Sequence, residues 1–108
     1  MARDALRDDF YREFCLAMAE CGLSRKDLAE HFRITPHVLT MWITGNGRRM
    51  TIGLARHMVR PLMGKVSEER RMRVIEAAVN RIIHKEFGVE GFYVARDDAL
   101  RLFDAEAK

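Results

Sequence analysis

Apolar residues follow helical spacing along most of this chain. In the first segment they recur at steps of three and four positions, which places them on one side of a helix. Gly22 follows this stripe and is suited to end the helix, because glycine adopts the left-handed conformation needed there without steric cost. The stripe consists of Leu6, Phe10, Phe14, Ala17, Met18 and Cys21.

Two short helices are predicted to follow. Ser24 is suited to cap the start of the second helix, with Asp27 three residues later as in a capping box. Thr35 is suited to cap the third helix, and Pro36 at its first position gives up only an amide that would have no partner there. Gly45 ends this third helix. The residues expected to face inward are Leu28, Ala29, Phe32, Leu39, Trp42 and Ile43.

The fourth and fifth helices are predicted from the same two signals, a cap and an apolar stripe. Thr51 caps the fourth helix, which Pro61 either kinks or ends. Ser67 caps a long fifth helix that reaches about Phe87. The stripes are Ile52, Ala55, Met58, Val59 and Leu62 in the fourth helix and Met72, Ile75, Val79 and Ile82 in the fifth.

The last part of the chain mixes two patterns. Residues 91–95, GFYVA, have strand-forming composition. The residues after them favour one short helix capped by Asp97. The chain as a whole is therefore predicted to be all-α, a compact helical bundle with a long C-terminal helix and a short tail. We expect one unit at residues 1–66 and a C-terminal extension at 67–108.

Composition limits the class of protein. The chain has 108 residues, of which 48% are hydrophobic and 32% charged, as expected for a single globular core. No apolar run approaches the ~20 residues needed to span a bilayer. The charged N-terminus lacks the apolar stretch of a signal peptide, so we expect a cytoplasmic protein without a membrane partner.

Metal and cofactor sites are not expected. Cys15 and Cys21 lie on different faces of one predicted helix, and we interpret them as reduced thiols. A zinc site that combined them with His31 and His37 would lack any familiar ligand spacing.

The positive charge is concentrated in one segment. The whole chain carries a net charge of +3, whereas residues 24–65 hold eight basic side chains and only two acidic ones. Such a segment suits a polyanion, because each neutralised phosphate releases condensed counterions. The alternative is a basic face that is merely solvated.

The two short helices, the three-residue break and the basic segment are together typical of a helix-turn-helix, here at residues 24–44. GLSRKDLAEHFRITPHVLTMWITG, residues 22–45, resembles the helix-turn-helix of the Cro and lambda-repressor family, also called XRE-type. The Leu-Ala pair at 28–29 matches the family pattern, as does Trp42 followed by Gly45. Arg33 departs from the pattern, since the family favours glycine in this turn.

The resemblance implies that the second helix crosses the DNA backbone and that the third lies in the major groove. The reading helix offers no Arg, Lys, Asn or Gln, which discriminate bases most strongly, so we expect DNA shape to contribute to specificity. The residues implied to read bases are Thr35, His37, Val38, Thr40, Met41 and Thr44. Those expected to contact the DNA backbone are Ser24, Arg25, Lys26, Arg33, Arg48 and Arg49. For Arg49 a base or minor-groove contact is the open alternative.

We therefore expect a sequence-specific regulator of transcription that binds double-stranded DNA, a repressor rather than an activator, of bacterial or phage type. One module of this size buries little surface, so a homodimer on an inverted repeat is expected. The residues predicted for the dimer interface are Met72, Ile75, Val79, Ile82 and Phe92.

A protein-interaction module is the alternative, such as an antitoxin or a phage protein that binds a host factor. Residues 66–108, which the resemblance does not cover, would bind that toxin or host factor. An enzyme is not expected, because the sequence contains no glycine-rich phosphate loop, no HExxH pair and no GxSxG elbow.

Overall fold

A computed structural model describes residues 9–46, 50–87 and 94–105 of the chain. Within these ranges the chain forms six α-helices and no strand, so the predicted all-α class is confirmed. None of these helices is long and apolar enough to cross a membrane. The helices are α1 (Asp9–Cys21), α2 (Arg25–Phe32), α3 (Pro36–Thr44), α4 (Ile52–Val59), α5 (Glu68–Phe87) and α6 (Arg96–Ala105), with a 3-10 turn at Arg60–Leu62.

Backbone angles and hydrogen bonds confirm the predicted ends of α1 and α3 and the predicted starts of α4 and α5. Gly22 and Gly45, which follow α1 and α3, have left-handed φ angles of 71° and 83°. The hydroxyls of Thr51 and Ser67 each accept the amide three residues later, at 3.0 and 3.1 Å, and so cap α4 and α5. The 3-10 turn that contains Pro61 follows α4 directly, so this proline ends the helix.

One hydrophobic core joins the regions predicted at 1–66 and 67–108. Phe10 and Phe14 of α1 are fully buried, with their ring centroids 5.4 Å apart. Ile75 of α5 is buried in the same core, and α5 packs most extensively against α1 and α6. The apolar residues of α5 are buried together with those of α1. The predicted boundary at residue 66 therefore falls between helices that share one core.

Arg70 of α5 adds a polar connection to α1. Its guanidinium forms ion pairs with Glu13, which is 5% exposed, and with Glu20, where Nε lies 2.8 Å from Oε2. The hydrogen bond from Arg70 lowers the pKa of Glu20, and the amide of Ser67 lowers it further. The start of α5 is therefore held against α1 by charged groups as well as by the core.

The predicted dimer interface is wrong at two of its residues. Ile75 and Val79 are 0% and 1% exposed within a single chain, so the core of that chain occupies their side chains. Met72 and Ile82 are half-buried, and Phe92 lies outside the described residues. Helical spacing marks an apolar face but does not tell contacts within a chain from contacts between chains.

The segment before α6 also differs from its prediction. Val94 and Ala95 belong to no helix or strand, and residues 91–93 of the predicted strand lie outside the described residues. The side chain of Asn80 accepts the amide of Val94 at 2.7 Å and donates to its carbonyl at 3.1 Å, and so occupies both groups that a strand would pair. Since α6 begins at Arg96, Asp97 lies in its first turn and is not the cap.

Candidate nucleic-acid interface

The start of α2 is held by the predicted capping box. Ser24 Oγ accepts the amide of Asp27 at 3.1 Å, and the Asp27 carboxylate accepts the amide of Ser24 at 3.1 Å. The bonds from Ser24, first of all its amide, lower the pKa of Asp27. Ser24 and Lys26 are both exposed at this end of α2.

The turn between α2 and α3 has the conformation that favours glycine, although arginine occupies it. Arg33 has φ 61° and ψ 44°, and its amide donates to the carbonyls of Ala29 and Glu30. The amide of Ile34 also donates to the carbonyl of Ala29, at 3.0 Å. A left-handed conformation costs a residue with a Cβ roughly 1–2 kcal/mol. The turn therefore keeps its shape at some cost, and the Arg33 side chain is exposed.

α3 has one buried face and one face that is accessible to solvent. Thr35 Oγ1 accepts the amide of Val38 at 3.1 Å and caps the helix. Leu39, Trp42 and Ile43 are buried on the inner face. Of the predicted base-reading residues within the helix, His37 is exposed, and Thr40, Met41 and Thr44 are half-buried. Val38 is also half-buried, and its side chain packs against the core.

The two threonine hydroxyls on this outer face already have partners within the protein. Thr40 Oγ1 accepts a hydrogen bond of 2.9 Å from Arg25 Nη1. Thr44 Oγ1 donates to the carbonyl of Thr40 at 2.9 Å. A threonine hydroxyl that accepts one bond can still donate another. Thr40 is therefore held as a donor, whereas the proton of Thr44 is used inside the helix.

Arg25 connects three helices. Besides Thr40 on α3, its guanidinium reaches Cys15 Sγ on α1 at 3.8 Å. Burial acts to lower the pKa of Arg25, but hydrogen bonds with Tyr11 and Cys15 outweigh this effect and raise it. Sequence reasoning assigned Arg25 to the DNA backbone and missed this connection, because nothing in the spacing of the four residues marks them as neighbours.

Ion pairs are concentrated on three helices other than α2 and α3. The ion pairs with resolved geometry join residues of α1, α5 and α6, for example Arg96 with Glu69 and Glu76. Among the described residues, no carboxylate lies within ion-pair distance of Lys26 or Arg33. The exposed cations of α2 and its turn are therefore available to an anion. Arg48 and Arg49 lie outside the described residues.

The C-terminal end of α3 is held by a residue that sequence reasoning did not select. Arg81 of α5 is 3% exposed, and its Nη1 and Nη2 donate to the carbonyls of Trp42 and Ile43 at 3.1 and 2.8 Å. Its spacing from Val74 and Ala78, seven and three residues earlier, places an arginine on the buried face of α5. This position in the helical repeat is the sequence feature that could have identified Arg81 as a buried residue.

The cysteines and histidines do not form a metal site in the part of the chain that the structure describes. No group of three or more His, Cys, Asp or Glu side chains could hold a metal ion there. Cys15 and Cys21 are free thiols, and burial raises the pKa of Cys21. The His57 ring packs against Phe32, with the ring centroids 4.7 Å apart.

The geometry therefore defines an all-α protein in which two short helices meet at a tight turn beside exposed cations. Comparisons with family models, curated proteins and solved structures found no match for the chain. The similarity of residues 22–45 to the XRE-type family stays a prediction from the sequence.

Proposed function

We propose that this protein binds double-stranded DNA sequence-specifically through α2 and α3 and regulates transcription, as a repressor rather than an activator. The observation that carries the proposal is the outer face of α3. It lies opposite the buried Leu39, Trp42 and Ile43. It belongs to a segment whose Lys26 and Arg33 form no ion pair at contact distance with a described carboxylate. The XRE-type resemblance and a bacterial or phage origin, with action in the cytoplasm, belong to the same proposal.

The outer face of α3 carries side chains that can contact base edges in the major groove. The major groove of B-DNA is about 12 Å wide and admits one α-helix. The exposed His37 can bond a guanine acceptor, and Met41 can contact a thymine methyl group. Thr40, whose oxygen accepts from Arg25, presents its proton to a base acceptor. These contacts discriminate bases weakly, so DNA shape supplies the remaining specificity.

The cations beside this face supply affinity without sequence preference. Each phosphate neutralised by Lys26 or Arg33 releases condensed counterions and makes binding weaker as salt rises. Ser24, which is exposed next to Lys26, marks the end of α2 that approaches the backbone. Arg48 and Arg49 extend the cationic set in the sequence.

Selection from a random pool of duplex DNA with the purified protein tests the proposal. We expect an enriched inverted repeat whose half-sites are about 34–36 Å apart, as for a dimer on one face of DNA. Replacement Lys26→Gln should weaken binding to all sequences alike. Lys85→Gln removes an exposed lysine of α5 and serves as the matched control. A pool that stays unenriched at low salt would refute DNA binding.

A protein-interaction module, such as an antitoxin or a phage protein that binds a host factor, is the second candidate. A single exposed apolar side chain such as Leu102, which is 47% exposed, is normal on a protein surface. This candidate therefore rests on residues 66–108, which the XRE-type resemblance does not cover. A toxin-binding regulator would combine both functions. An unenriched DNA pool would shift the search for a partner to residues 66–108.

A further inference from the structure

Arg81 places a buried positive charge against the C-terminal end of α3. The last four carbonyls of an α-helix have no partner within the helix and form the negative end of its dipole. Two of them in α3, those of Trp42 and Ile43, accept from the two terminal nitrogens of the Arg81 guanidinium. Because the guanidinium is planar and rigid, two such bonds fix the orientation of the helix end as well as its distance from α5.

Neighbouring groups hold the guanidinium in place. Its Cζ lies 4.7 Å from the centroid of the Phe10 ring on α1. Gly45, which ends α3 with φ 83°, leaves room on another side, since a Cβ there would lie 3.2 Å from Arg81 Cζ. The position of Arg81 is thus determined by α1, by α5 and by the residue that terminates α3.

Among the described residues, the other end of α3 has no comparable hydrogen bond to α5. Thr35 caps this end by accepting the amide of Val38, which belongs to α3 itself. Thr40 accepts a hydrogen bond from Arg25 of α2. α3 has only nine residues, and a helix of that length is not stable by itself in water. Its orientation therefore depends on the groups that hold it, and Arg81 is one of them among the described residues of the C-terminal region.

We propose that Arg81 is a positioning residue for DNA recognition. It does not touch DNA, and it holds α3 at the angle at which the outer face reaches base edges. This inference rests on the proposed DNA binding. It makes α5 part of the DNA-reading unit, because this helix carries the group that orients α3.

Arg81→Met and Arg81→Lys test the inference, with Arg73→Met as a matched control. Arg73 is an exposed arginine of the same helix whose resolved ion pair is with Glu69, on α5 itself. The readout is the ratio of dissociation constants for a scrambled duplex and for the duplex selected by the wild-type protein, at one salt concentration.

We expect Arg81→Met to lower this ratio about tenfold, which is the discrimination of roughly one base pair. Arg81→Lys keeps the charge and should restore part of the ratio, whereas Arg73→Met should leave it unchanged. Binding to the scrambled duplex should keep its salt dependence, because the phosphate contacts remain. A folded Arg81→Met protein with the wild-type ratio would overturn the inference.

A pair of glycine variants tests the same contact without removing the charge. Gly45→Ala would place a Cβ against the guanidinium, whereas Gly64→Ala, at φ 80°, meets nothing within 4 Å. Both variants carry similar backbone strain, so only Gly45→Ala should lower discrimination. Equal discrimination in the two variants would contradict the proposed role, and this pair decides the question if Arg81→Met does not fold.

Amide hydrogen exchange of the free protein separates this inference from DNA binding. Arg81→Met should speed exchange in α3 more than in α2, and Arg73→Met should not. Equal exchange in α3 of the wild type and Arg81→Met would refute the anchoring role. A wild-type protein that selects no duplex would refute the proposed function, and with it the role in recognition. Discrimination that survives Arg81→Met would refute the inference alone.

Discussion

The hydrogen bond between Arg25 and Thr40 joins the first residue of α2 to the outer face of α3, and its strength can be measured directly. Nη1 of Arg25 lies 2.9 Å from Oγ1 of Thr40, and both residues are half-buried. Thr40→Val removes the hydroxyl while keeping the branched shape. Arg25→Met removes the guanidinium while keeping most of the aliphatic stem. The double variant completes a cycle that isolates the interaction between the two groups.

The expected coupling follows from the chemistry and exposure of this bond. Hydrogen bonds to charged groups contribute about 1.5–3 kcal/mol to stability. Water reaches both half-buried side chains, and the guanidinium keeps a second contact at Cys15 Sγ. We therefore expect a coupling free energy just below this range, about 1–1.5 kcal/mol.

Urea unfolding followed by tryptophan fluorescence measures this coupling. Trp42 is the only tryptophan of the chain and lies on α3 with 8% exposure, so its emission reports on the helix concerned. Thr44→Val is the matched control, because the resolved hydrogen bonds of its hydroxyl are to carbonyls of its own helix. A coupling below about 0.3 kcal/mol for Arg25 and Thr40, within the usual error of additivity, would refute the reasoning. An equal coupling between Arg25 and Thr44 would do the same.

Three further outcomes are expected. His37→Ala should reduce sequence preference without changing the salt dependence of binding. Arg48→Ala should lower the slope of that dependence by about 0.9 and weaken binding to all sequences alike. The opposite pattern in filter-binding titrations would contradict the assignment of His37 to bases and of Arg48 to phosphate. Arg70 lowers the pKa of Glu20 below its ordinary value of 4.5. The ion pair between them therefore stabilises the folded protein above pH 4.5, and this stabilisation is lost as the pH falls below that value. The stability difference between wild type and Arg70→Met should therefore shrink in acid, and parallel unfolding curves across pH would contradict this. Sedimentation should show a dimer, and a monomer at tens of micromolar that stays a monomer on DNA would remove the homodimer.

The helices could be predicted because their signals are local. Ser24, Thr35 and Thr51 cap helices through amides three residues away, so a short window of sequence contains both partners of each bond. The glycines that end α1 and α3 act through their own φ angles. The outer face of α3 follows in the same way from the helical repeat, once its buried residues are recognised as apolar.

The connections between helices could not be predicted, because they join residues far apart in the chain. Arg25 and Thr40 are fifteen residues apart, and Arg81 and Trp42 are thirty-nine apart. An arginine in a helical pattern reads equally well as a solvated side chain, a phosphate contact or a buried anchor. Folding decides among these roles, since only packing brings a particular carbonyl or hydroxyl within reach.

The amino-acid sequence by itself determined the all-α class, the caps at the start of α2, α3, α4 and α5, and the concentration of positive charge in residues 24–65. Only the tertiary structure decided that Ile75 and Val79 belong to the core of one chain, and that Arg81 holds the end of α3. The physical reason is the range of the interactions. Caps and helical repeats act within a few residues, whereas burial and buried hydrogen bonds depend on which distant helix becomes the neighbour.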